Sequence, residues 1–145
     1  MRKAIHRRIA QFSRDARGTS AVEFAFIAPM LVVIAVSLGD VSALFYGSSN
    51  MQAAVRSGIH YAMAGGTDAT VAQAIADNSW SKKPADGVVT SAKVCKCAGT
   101  VVGDCDAFCA DNSRPEMYIT VTATGTVGGD LYSETQTSSE TVRVR

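Results

Sequence analysis

The distribution of apolar and polar positions divides this chain into three regimes. Residues 1–18 are polar and basic. From Phe24 to Gly39 no residue is charged, and the 21 residues from Thr19 to Gly39 hold a single acid, Glu23, near their start. A helix needs about 20 mostly apolar residues to cross the hydrocarbon core of a bilayer. This stretch is long enough, and no other in the chain is. Beyond Asp40 the apolar residues thin out to helical spacing, at Val41, Leu44, Phe45, Ser48, Met51, Val55, Ile59, Ala62 and Met63, while Asn50, Gln52, Arg56 and His60 fall largely elsewhere on the wheel. The spacing predicts one helix from Thr19 to Ala64, about 70 Å long at 1.5 Å per residue. Gly65-Gly66 then supplies the left-handed residue that ends it.

The rest of the chain is patterned in shorter runs. Thr67–Trp80 reads as a short helix capped by Asp68 or Thr67, with Val71, Ala74 and Ile75 on one face. Trp80 begins a loop in which Lys82-Lys83-Pro84 and Asp86-Gly87 are turn signals. Val88–Val94 alternates as a strand does, with Val88, Thr90, Ala92 and Val94 on one face. Cys95–Arg114 is a cysteine-bearing loop of small residues. Met117–Val127 alternates again, with Met117, Ile119, Val121 and Ala123 set against Tyr118, Thr120 and Thr122. Gly128-Gly129-Asp130 turns the chain into a last strand or pair of strands, Leu131–Arg145, with Val142 and Val144 inward. The expectation is an α+β fold: a long N-terminal helix, half transmembrane and half amphipathic, packed on a small sheet of three antiparallel strands.

Charge adds a direction. The net charge of the whole chain is only +1, but residues 1–18 carry six basic side chains against one acid, and the remainder carries eight against twelve. A basic flank before an apolar span and a mildly acidic region after it place the N-terminus in the cytoplasm and the C-terminus outside. The expected organisation is a basic leader over 1–18, a transmembrane helix over 19–40 and an exported domain over 41–145. The leader has the makings of an amphipathic helix on anionic lipid, with Ile5, Ile9 and Phe12 on one side. Topology accounts for the basic cluster, so no nucleic-acid partner is expected. Aromatic residues make up 7% of the chain, so the soluble core must be built mainly from Val, Ala, Ile and Met.

Two features of the span carry candidate chemistry. A carboxylate taken to mid-bilayer costs about 3 kcal/mol, so Glu23 belongs at the interface or beside a partner. Cleavage after Gly18 would create that partner, an α-amino group on Thr19 one helical turn from Glu23. Glycine suits a cleavage site because its backbone extends without a side-chain clash. The bland reading is that Gly18 merely breaks the chain and Glu23 favours the positive end of the helix. Pro29 removes one backbone hydrogen bond and would kink the span, which membrane helices tolerate.

The arrangement Gly-x-x-x-x-Glu-Phe, after a basic leader and before an apolar helix, resembles the processing site of type IV prepilins. The sequence RGTSAVEFAFIAPMLVV, with looser support from MQAAVRSGIHYA and CKCAG, resembles more narrowly the TadE/TadG-like pseudopilins of tight-adherence (Flp-type) pili. The resemblance implies a pilin-like, single-pass protein of the bacterial inner membrane with its C-terminal domain in the periplasm. It implies processing at Gly18 and Thr19 by a prepilin peptidase, and a role in assembly register for Glu23 and Phe24. The implied partners are the major pilin, other pseudopilins, the inner-membrane assembly platform and the lipid bilayer. The size and the cysteine-bearing domain depart from the major-pilin pattern and suggest a minor role in the pilus.

Cys95, Cys97, Cys105 and Cys109 all follow the span, in the exported part where disulfides persist. On an extended strand Cys95 and Cys97 lie near 7 Å apart, too far to bridge each other readily. Cross-pairing with Cys105 and Cys109 is therefore expected, in either of its two forms. Zinc is disfavoured because Cys95-x-Cys97 lacks the usual spacing. Asp104, Asp106 and Asp111 lack the calcium-loop pattern. His6 and His60 have no catalytic pattern around them, and neither a phosphate loop nor a dinucleotide fingerprint is present. No enzyme and no cofactor is expected. Two other readings stay open: a secreted, disulfide-stabilised binding module whose residues 1–43 form a signal peptide ending in Val41-Ser42-Ala43, and an uncleaved single-pass membrane protein.

Overall fold

The computed structural model describes residues 17–144, with side chains from residue 21 onward. The leader helix expected on residues 1–18 lies outside the described residues as far as residue 16. The elements in chain order are α1 (Arg17–Met63), α2 (Ala69–Ser79), β1 (Val88–Cys97), β2 (Thr100–Val102), β3 (Glu116–Gly128) and β4 (Ser133–Arg143). The chain divides into two units at the Gly39–Asp40 bond.

In the first unit α1 is already helical at Arg17, the first described residue, and passes through Gly18 without a break. Glycine costs about 1 kcal/mol in a helix interior, too little to stop a helix that continues for more than forty residues. Pro29 likewise sits inside α1 without ending it. The side chains here are apolar on every side. Ile27, Leu31, Ile34 and Leu38 lie on one flank, Val22, Phe26, Met30 and Val33 on an adjacent one, and all are more than half exposed. A helix with no polar face is suited to lipid or to other helices, not to water.

The second unit is an antiparallel sheet in the order β2-β1-β3-β4, covered on one face by the remainder of α1 and by α2. The stripe of α1 that the periodicity singles out, Met51, Val55, Ile59 and Ala62, is buried together with Ala54. It packs on Ile119, Val121 and Ala123 of β3, where every second residue from Met117 to Val127 is buried. The fit is close because small residues line it. A Cβ on Gly58 would stand 2.7 Å from the Ala72 carbonyl oxygen, and one on Gly47 would stand 2.9 Å from the Val127 Cβ. At the C-terminus of α1 the Gly66 N–H donates to the Tyr61 carbonyl and the Gly65 N–H to the Ala62 carbonyl. With Gly65 at φ +97° this is a Schellman cap, which only glycine enters without strain.

Three local expectations are corrected. The buried face of α2 is Ala72 and Ala76, not Val71, Ala74 and Ile75, and Val71 is exposed. Close packing against α1 at Gly58 selects the smallest side chains, which overrides the hydrophobicity ranking. Trp80 begins the connection to β1, as expected, and is also the buried C-cap of α2 and part of the core. In β1 the inward residues are Val89 and Cys95, with Ser91 turned to the Ala69 carbonyl, while Val88 is exposed. The face expected to be inward (Val88, Thr90, Ala92 and Val94) is the outer one. Register with β3 fixes this, because Val89 pairs with Ala123 and Ser91 with Val121, and partners across a ladder share a face. The sheet also has four strands where three were expected, because the cysteine loop contains β2, paired with Cys95–Cys97. The last segment is one strand, with Val142 and Val144 half-buried against the core.

Side-chain oxygens fasten the connections. Asp68 caps α2 by accepting the Thr70 N–H and hydroxyl, and the hydroxyl bond holds its pKa below the ordinary 3.8. Asp86 straps the α2–β1 connection to β3 by accepting the Thr126 hydroxyl and N–H, again with the hydroxyl as the main cause of a lowered pKa. On the outer face a ladder of hydroxyl pairs joins β3 to β4: Thr120–Thr141, Thr122–Ser139, Thr124–Thr137 and Thr126–Thr135.

Two outcomes are expected from this packing. Gly58→Val should destabilise the second unit by about 1–3 kcal/mol, the usual cost of overpacking, seen as a lower unfolding midpoint in urea for the full-length protein in detergent. Because the Asp86 carboxyl titrates below 3.8 when folded, its contribution is complete above that value and is lost as pH falls through the folded pKa. Asp86→Asn should therefore flatten the acid limb of the stability profile below 3.8 and leave its slope near neutrality unchanged, as measured by urea unfolding across pH.

Candidate functional site

The processing and register residues proposed from the sequence lie at the N-terminal end of the uncharged segment of α1. Gly18 and Thr19 are helical residues of α1, close to the first described residue. Glu23 is four residues after Thr19, so the two positions stand one above the other on the same face. Glu23 and Phe24 are exposed, Phe24 to 65%. Glu23 is the last charge before Asp40, and Asp40 is the last before Arg56.

Asp40 does more than mark the outer edge of the apolar stretch. One carboxylate oxygen accepts the backbone N–H groups of Leu131 and Tyr132, each at 2.8 Å. Those residues end the four-residue connection between Gly128 and Ser133, which the Gly129 N–H closes onto the Tyr132 carbonyl. A Cβ on Gly129 would overlap the Asp40 carboxylate, so glycine is required for the turn to come this close. Sequence reading missed this contact. Its available signals were the isolation of Asp40 and the double glycine ahead of the turn; neither reveals a pairing across 91 residues.

The cysteines form two bridges, Cys95–Cys105 and Cys97–Cys109, with Cα separations of 5.4 and 5.6 Å. They tie the end of β1 to the loop after β2, at a part of the sheet distinct from the turn held by Asp40. The acids of this loop serve it locally. Asp104 accepts the Asp106 N–H, and Asp111 accepts the Ser113 N–H and hydroxyl, the hydroxyl bond holding the Asp111 pKa below 3.8. Among the described residues no group of three His, Cys, Asp or Glu side chains is placed to hold a metal ion. His60 is exposed on α1.

These features define a class: a disulfide-stabilised α+β unit that follows a helix long and apolar enough to cross a membrane, as either an anchor or a signal sequence would be. Comparison adds a family resemblance. Residues 18–60 match the TadE-like protein family. The match takes in Gly18, Thr19, Glu23, Phe24 and Asp40 and continues through the buried stripe of α1 as far as His60. No curated protein and no solved structure matches the chain.

Removing the Asp40 carboxylate leaves two backbone donors without an acceptor, at about 1–3 kcal/mol for a buried group and less where water reaches it. Asp40→Ala is expected to raise the amide exchange rates of Leu131 and Tyr132 well above those of β3 residues, measured by hydrogen exchange on the full chain in micelles. Equal protection in the variant would show that the turn holds itself.

Proposed function

We propose that this protein is a minor pseudopilin of a tight-adherence pilus, held in the bacterial inner membrane by α1, with its disulfide-bonded unit outside the cytoplasm. The observation that carries the reading is the coincidence of the TadE-like stretch, residues 18–60, with the helix that is long and apolar enough to span a bilayer. The long helix followed by a small antiparallel sheet has the division of labour of a pilin. Its role is structural and not catalytic. The covalent chemistry belongs to a prepilin peptidase that hydrolyses the Gly18–Thr19 bond, and the further partners are the major pilin, other pseudopilins and the assembly platform in the membrane.

Helix geometry supports the processing step and its consequence. The Gly18–Thr19 bond lies within the described part of α1, where glycine lowers the cost of opening the helix into an extended substrate. The amine released on Thr19 stands one turn from Glu23 and neutralises it, either in the same chain or in a neighbour, where it sets register. The basic leader keeps the N-terminus cytoplasmic. A conventional signal peptide ending at Ala43 would be removed with Asp40, freeing the Leu131 and Tyr132 amides it holds.

N-terminal sequencing with intact mass, on protein from the native membrane fraction, tests the reading. The expected N-terminus is Thr19, with Gly18→Ala abolishing cleavage and Glu23→Ala leaving cleavage intact while impairing pilus assembly. A soluble product beginning at Leu44 would replace the proposal with the secreted binding module, and an intact Met1 would leave an anchored protein without prepilin processing.

A further inference from the structure

The connection between β3 and β4 departs from turn chemistry. Turns are usually built from Gly, Pro, Asn, Asp and Ser, yet after Gly128-Gly129-Asp130 this one presents Leu131 and Tyr132, exposed to 70% and 55%. Elsewhere the same hairpin avoids exposed apolar side chains, since its outer face carries the ladder of Thr and Ser pairs. The two apolar residues are concentrated at the point that Asp40 grips.

The grip fixes where they are. Asp40 follows sixteen uncharged residues, Phe24–Gly39, and a carboxylate is excluded from hydrocarbon. When that segment occupies a bilayer, Asp40 lies at the outer surface, and the backbone of Leu131 and Tyr132, 2.8 Å from its oxygen, lies at the same depth. Tyrosine is enriched at that depth because its ring is apolar and its hydroxyl is not. Val41, next to Asp40, is also about half exposed, and Tyr46, farther along α1, holds the Lys82 ammonium 4.9 Å from its ring. Aromatic rings with lysine are the usual composition of the headgroup level.

We infer that the β3–β4 turn is a membrane-contact site, with Leu131 and Tyr132 inserted at the boundary between the headgroups and acyl chains of the outer leaflet. The inference rests on the anchored reading given above and adds a second attachment, through the sheet, to that of the helix. Asp130 and Glu134 flank the turn, so the surface it accepts is zwitterionic and not strongly anionic.

Depth-resolved fluorescence on the full chain in phosphatidylcholine vesicles tests this. Tyr132→Trp and, separately, Leu131→Trp place an indole in the turn while keeping the backbone donors to Asp40. Val101→Trp places one on β2, where Val101 is 64% exposed, and the native Trp80, 4% exposed in the core, is an internal reference. With lipids brominated near the top of the acyl chain, the indoles at 131 and 132 are expected to lose emission and to be shielded from aqueous iodide, whereas the indole at 101 shows the reverse. Retention of the chain in alkaline carbonate with both turn indoles quenched by iodide, and not by brominated lipid, would overturn the inference while leaving the anchor in place. Release of the chain by carbonate would overturn the anchor and the inference together.

Discussion

Close approach between α1 and the sheet is the constraint on which the second unit depends. With few aromatic residues available, the core cannot be filled by large rings spanning a wide gap, so the gap is narrow. Gly47 lies against Val127, Gly58 against Ala72 and Val121, and Ala54, Ala62, Ala76 and Ala123 are buried completely or nearly so. Dispersion at short range replaces bulk. The only tryptophan, Trp80, closes the layer where α2 ends. A core of this kind tolerates added volume poorly, because the atoms facing the glycines include a backbone carbonyl that side-chain rotation cannot move.

A thin core leaves much of the structure to be held by other means, and these are distributed around its margin. Two disulfides, each worth about 2–4 kcal/mol through the constraint they place on the unfolded chain, secure the end of β1 and the loop after β2. Asp68, Asp86 and Asp40 each spend a carboxylate on backbone amides, at the start of α2, at the strap onto β3 and at the β3–β4 turn. Charge-assisted bonds of this type are stronger than neutral ones, and they complete the accounting of backbone donors where the sheet and helices stop. Bridges such as Arg56–Glu140 and Arg143–Glu116 lie at partly exposed sites and add little by comparison.

What could be read from the sequence followed the strength of the periodic signal. The long helix, its glycine cap and the alternation of β3 were legible because each pattern extends over many residues and only one face of each element can be buried. The phase of β1 was not. Its apolar residues at 88, 92 and 94 suggested one face, but Val89, Ser91 and Cys95 form the other, and the register against β3 decided between them. In α2 the ranking by hydrophobicity failed because proximity to Gly58 made size, not polarity, the criterion. The short strand β2 is visible only once the cysteines are paired, since three residues carry no period. At the candidate site, helical spacing placed Thr19 and Glu23 on one face from the sequence alone. The Asp40 contact joins residues 91 positions apart and leaves no local pattern.

Asp40 and Glu23 illustrate how differently two acids can bound one apolar segment. Both are kept from hydrocarbon by the same solvation cost, yet only Asp40 has its charge compensated within the chain, through amides supplied by a turn whose glycine admits it. Glu23, exposed on a helix without polar flanks, has no hydrogen bond or ion pair among the described residues. On the reading proposed above, such a carboxylate at the edge of a span calls for a cation, and an amine at Thr19, one helical turn away, would supply it after cleavage. On this argument processing would do more than remove the leader: it would convert the unbalanced end of α1 into one that lipid or a neighbouring subunit can accept, as the other end, at Asp40, is already balanced by the fold.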